Sequence, residues 1–181
     1  MAPVGALAGV DRIADAAARA SDVWARSVLP ADERDGDVLM GPVAGAAFAD
    51  GVETIYEGYL VHHAPRARAF AAPDREQGLL LGDYLYATGL VRVCEAGDVD
   101  AIAALADLVS LAAHLRATGV GLDGELWVAT ARYLGGARDG GLDAAREALR
   151  DGDGAPLRAL VADDAAASLL AEHRRLMGDD A

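Results

Sequence analysis

Two adjacent imidazoles, His62 and His63, close an apolar stretch, and a carboxylate, Asp83, follows Gly82 inside a leucine-rich one. Imidazole suits Zn²⁺ or Fe²⁺ better than Mg²⁺, which takes carboxylate and water oxygens. Neighbouring helical residues point about 100° apart, so the two rings cannot both face one ion unless the helix ends there. The pair therefore reads as helix-end histidines near the negative pole of the helix dipole. Asp83 shares a helical face with Leu79, Tyr86 and Leu90. A carboxylate on such a face needs a partner, for which Arg66, Arg68, Arg92 or a histidine is at hand, and a buried or half-buried hydrogen-bonding role is expected. Gly82 would permit close helix approach. Asp163 and Asp164 form a second acidic pair, read as exposed near the start of a helix. His114 and His173 complete no spacing signature and are placed at the surface or its boundary.

Other chemistry-bearing patterns fail their contexts. Gly119-Val120-Gly121-Leu122-Asp123-Gly124 fits the dinucleotide pattern literally, but it follows a helix instead of a strand and reads as a glycine-rich turn. Asp151-Gly152-Asp153-Gly154 begins like a calcium loop, yet Ala155, Pro156 and Ala162 occupy positions that should ligate or turn. Ser21, Ser27, Ser110 and Ser168 lie in helical segments without a nearby histidine and carboxylate. The lone Cys94 excludes an intramolecular disulfide and a cysteine-based zinc site, and is expected as a small buried hydrophobe.

Residues such as these need a scaffold, and composition names its class. The 181 residues suit one compact domain, and the 53% that are apolar are mainly alanine and leucine, which favours helix over sheet. Every cation is arginine, and the net charge of −13 opposes nucleic acid and anionic lipid. Charged residues interrupt each apolar run before the ~18 residues a membrane span needs. The N-terminal segment lacks the basic start and apolar centre of a signal peptide, so a cytoplasmic protein is expected.

Apolar spacing predicts a first helix through Leu7, Val10, Ile13, Ala17 and Trp24, and a second from Met40 or Val43 to His62. Pro65 and Pro73 bracket an exposed loop bearing Arg66 and Arg68. A third helix, about Asp74 to Ala96, carries Leu80, Tyr84, Ala87, Val91 and Cys94 along one face. Asp98 caps a fourth, striped with Ile102, Leu105, Leu108, Val109, Ala112 and Leu115 and ended by Gly119. Asp123 caps a shorter segment to Leu134, a small helix spans Leu142 to Arg150, and Pro156 opens a last helix reaching Met177. Short connections imply a single-domain antiparallel bundle.

The stretch from Ile55 to Val93, IYEGYLVHHAPRARAFAAPDREQGLLLGDYLYATGLVRV, resembles the first substrate-site region of isoprenyl (polyprenyl) diphosphate synthases. In that family a helix ends in a His-Asp-Asp run, a basic loop follows, and a helix then carries a Gly-Asp pair. Here the first two aspartates are replaced by His63 and Ala64, and Asp37 stands where an early Gly-Lys-Arg-Pro segment has its lysine. The chain is similar to the short subunit of two-component long-chain synthases, which lacks the aspartate motifs and pairs with a catalytic subunit. The resemblance implies a truncated synthase-like bundle that is non-catalytic alone, needs no cofactor, and binds a catalytic synthase subunit or itself. Its degenerate pocket would include Tyr59, His62, His63, Gly82, Asp83 and Tyr86. The faces of the second and third helices would line an elongated cavity for a prenyl chain. Two alternatives stay open: a divergent Mg²⁺-dependent prenyltransferase using Asp83, Asp163 and Asp164, and a helical protein that holds a prenyl or other apolar ligand.

Overall fold

The computed structural model describes residues 9–35 and 37–179; Leu7 and the beginning of the N-terminal segment lie outside them. The fold is all-α: no strand occurs among the described residues, which carry only one isolated antiparallel bridge, between Val28 and Phe70. In chain order the helices are α1 (Gly9–Ala20), α2 (Asp22–Ala25), α3 (Gly41–Ala44), α4 (Ala49–His63), α5 (Arg75–Cys94), α6 (Val99–Thr118), α7 (Asp123–Leu134), α8 (Gly141–Arg150), α9 (Ala155–Ala159) and α10 (Asp164–Met177), with a 3₁₀ turn at Ala31–Glu33.

The boundaries follow side chains that compete for backbone hydrogen bonds. Ser21 accepts from Val23 N and starts α2, splitting the long first helix expected from periodicity. Gly45, at φ +81°, ends α3, so the expected single helix from Met40 or Val43 to His62 is two. Asp163 accepts from Ala166 N and starts α10 afresh, and Pro156 therefore opens only the short α9. Asp98 and Gly119 cap α6 as expected.

Helix α4 is the axis of the molecule. Every residue from Gly51 to Leu60 is buried, including Glu53 and Glu57, and α5 lies along it. Four glycines set that approach: a Cβ on Gly51 would sit 2.6 Å from Val93 Cγ2, and one on Gly89 2.7 Å from Gly51 O. At Gly58 it would meet Gly82 O at 3.0 Å, and at Gly82 it would meet His62 Cδ2 at 1.9 Å. With backbones this close, α4 and α5 pack directly on each other.

The glycines also rotate α5 relative to its apolar pattern. Its buried residues are Leu81, Gly82, Leu85, Gly89 and Val93, whereas Leu80, Ala87, Val91 and Cys94 of the expected face are exposed. Backbone proximity outweighed the burial of larger side chains, and Cys94 is not the buried hydrophobe its type suggested. Helix α6 places Leu105, Leu108, Ala112 and Leu115 inward as expected. By length and composition it is also long and apolar enough to cross a membrane, despite its acidic interruptions.

The loop between α4 and α5 is not an exposed tether. Arg66 is exposed, but Arg68 is 2% exposed. Its Nε donates to Glu57 Oε2 at 2.9 Å, and its Nη1 lies 2.7 Å from Glu53 Oε1. Glu53 accepts in turn from Leu39, Met40 and Gly41 N at the start of α3, and Glu57 accepts from Ala69 N. The Arg68 guanidinium also lies over the Tyr56 ring. This buried knot fastens the 64–74 loop and the entry to α3 onto two turns of α4.

Candidate functional site

The end of α4 gathers four of the six pocket candidates. His62 lies in the gap left by Gly82, stacks on Tyr86 at 5.1 Å with the rings 7° apart, and brings Nε2 to 3.4 Å from Asp83 Oδ1. Nε2 is buried and makes no hydrogen bond. Burial lowers the pKa of His62, and the nearby Asp83 charge opposes that only in part. Burial raises the Tyr86 phenol well above its usual range, with the Asp83 charge adding to the shift.

Asp83 itself is exposed, not the buried or half-buried carboxylate expected. Of its expected arginine partners, Arg92 donates to Thr54 Oγ1, Arg66 reaches Glu33, and Arg68 is held in the buried knot; only the histidine expectation corresponds to what is found. Rotation of α5 explains this, since the face that carries Asp83 and Leu80 turns to solvent. A cavity of about 460 Å³ adjoins His62, lined also by Phe70, Arg66, Arg75 and Leu79.

The other two candidates, Tyr59 and His63, face a second network on the neighbouring side of α4. His63 packs its ring 4.8 Å from that of Tyr59, and burial, then the neighbouring His62 and Arg116, lower its pKa. The Tyr59 hydroxyl donates a short hydrogen bond to Asp123 Oδ2, away from Gly82. The same oxygen is 3.1 Å from His173 Nε2, and His173 Nδ1 is 2.9 Å from the Tyr56 hydroxyl. Trp127 closes the cluster, its ring 5.0 Å from Tyr56 and 5.3 Å from Tyr59.

The charge state of Asp123 decides the proton arrangement. Burial pushes its carboxyl up, but hydrogen bonds from His173 and Tyr59, with the His173 and Arg116 charges, outweigh that and hold it down at about 2. An ionised carboxylate only accepts, so both Tyr59 O–H and His173 Nε2–H donate to it. The direction of the bond between His173 Nδ1 and the Tyr56 hydroxyl follows the protonation of the ring. Burial, with the Asp123 charge next for Tyr59, keeps both phenols protonated far above the usual tyrosine range. Both ring nitrogens of His173 are thus engaged, which makes the imidazole a clamp joining α4, α7 and α10 instead of a base free to meet a substrate. A cavity of about 360 Å³ touches its outer side through Arg116, Glu125 and Arg174.

Sequence reasoning missed this network. Asp123 was expected to cap α7, but Leu122 holds the cap position and the Asp123 side chain turns inward; His173 was expected near the surface and is 2% exposed. No local spacing links residues so far apart. Glu53 and Glu57 did leave a signal, two acids one helical turn apart in an apolar segment, with Tyr56 and Tyr59 on the same turns.

Asp163 and Asp164 lie outside both groups. Asp163 spends its oxygens on Arg132 at 2.6 and 2.7 Å and on the α10 cap, and Arg132 holds its carboxyl far below the usual range; Asp164 is exposed in the first turn. Among the described residues no three of His, Cys, Asp and Glu converge as metal ligands. Comparison with protein-family models, curated proteins and solved structures gives no match.

Proposed function

We propose that the chain is a non-catalytic, isoprenyl-diphosphate-synthase-like subunit that acts in the cytoplasm by docking the outer face of α5 on a second chain. One observation carries this reading: the apolar face written into α5 is left uncovered. Leu80 is 59% and Val91 62% exposed, Leu79, Ala87 and Cys94 lie beside them, and Tyr84 stacks on Trp24 at the edge. Contiguous exposed apolar surface of this kind marks interaction sites. The Gly82-Asp83 helix that supplies the face lies within the stretch where the family resemblance is strongest, Ile55 to Leu115, so the partner it favours is a catalytic prenyl synthase, with a second copy of this chain as the other occupant. The chain's own site residues fit a subunit without chemistry, since the Tyr59 group is closed on itself and Asp83 points to solvent.

Purification from the native host, with identification of co-purifying chains, tests this directly. The single chain and the complex are then assayed for Mg²⁺-dependent prenyl transfer. The expected outcome is transfer by the complex alone, and loss of association with Leu80→Glu or Val91→Arg. Turnover by the single chain that falls with Asp83→Asn would establish the divergent-enzyme alternative, and association untouched by both α5 substitutions would sink the docking face.

A further inference from the structure

A larger cavity than those beside His62 and Asp123, about 630 Å³, lies between α6, the end of α8 and the 152–154 turn, and shares Leu115 with the one beside Asp123. Its floor is leucine: Leu111 and Leu115 from α6, Leu122, and Leu149 from α8, each under 9% exposed. Its rim is cationic, although the chain as a whole carries −13. Arg150 is shared with Asp107 at 3.3 Å, and Asp153 turns an oxygen to Ala155 N. The Arg158 side chain makes no hydrogen bond or ion pair among the described residues. The turn holds head and floor together, for a Cβ on Gly154 would lie 2.3 Å from Leu122 Cδ1 and 3.4 Å from Arg158 Nη1.

We infer that this groove binds a single long-chain carboxylate, its hydrocarbon tail on the four leucines and its head on Arg158. The volume lies within the range of small-molecule sites, and an apolar floor beside few polar groups is their usual construction. One uncommitted guanidinium matches a monoanion, in a bidentate geometry suited to carboxylate. A diphosphate would bring more charge than one arginine neutralises, against the repulsion of an acidic chain. The site is on a different face from α5, so its occupation and the docking of a second chain stand or fall separately.

Calorimetric titration of the full chain with dodecanoate, below its micelle-forming concentration, and with dodecanol tests the assignment. Saturable one-to-one dodecanoate binding is expected. Arg158→Gln should weaken it about tenfold, the loss of one charge-assisted pair, while leaving dodecanol binding unchanged. Ser110→Trp, an exposed rim position that fills the groove, should remove binding of both. Absence of saturable binding, an undiminished affinity in Arg158→Gln, or full binding in Ser110→Trp overturns the inference.

Discussion

Replacing Asp123 with alanine removes one acceptor and strands two buried donors, Tyr59 O–H and His173 Nε2–H. Each orphaned buried donor costs about 1–3 kcal/mol, so the variant should lose about 4 kcal/mol, a large share of the stability of a domain this size. The loss has a pH signature. A carboxyl depressed from 3.8 to about 2 contributes stability that is fully present above the unfolded value and vanishes as pH falls through the folded one. That contribution is worth about 2 kcal/mol, and the variant lacks it. Urea unfolding followed by fluorescence, with Trp127 buried inside the cluster, should therefore show the gap between native chain and variant narrowing by about 2 kcal/mol between pH 4 and pH 2. A gap that is constant over that window, or a cost at neutral pH below about 1 kcal/mol, would refute the account of Asp123 as the ionised centre of the network.

Arg68→Met leaves Glu53 and Glu57 buried without their cation and should cost about 3–5 kcal/mol by denaturant unfolding, whereas loss of exposed Arg66 should cost under about 1 kcal/mol. Gly82→Ala drives a methyl into the His62 ring, and should destabilise by about 1–3 kcal/mol while the His62 NMR titration moves up as the ring is pushed toward solvent. Cys94 in the folded chain should react with an aromatic disulfide reagent about as fast as in the urea-unfolded chain, and strong protection would contradict the orientation given to α5.

The helical class, the caps at Asp98 and Gly119 and the inward stripe of α6 were legible because each depends on residues within one or two turns of each other. The candidate site was legible in part: His62, Gly82, Asp83 and Tyr86 do meet, since the Gly82 notch that admits His62 lies on the helix beside α4. The face of α5 was misread because periodicity counts apolar side chains and cannot see that glycine, by having none, lets two backbones close on each other. Asp123, His173 and Tyr59 come from α7, α10 and α4, and no spacing encodes their meeting.

What the sequence determined by itself is the all-helical class, the caps at Asp98 and Gly119 and the inward stripe of α6. The tertiary structure decided which way each helix turns. Contact between Gly51, Gly58, Gly82 and Gly89 drew α4 and α5 together and turned the α5 stripe of Leu80 and Val91 outward, while Glu53 and Glu57 of α4 took Arg68 inside. The reason is physical: a capping bond is settled within one turn of chain, whereas rotation of a helix is settled by the sum of its contacts with every neighbour, and those neighbours exist only once the chain has folded.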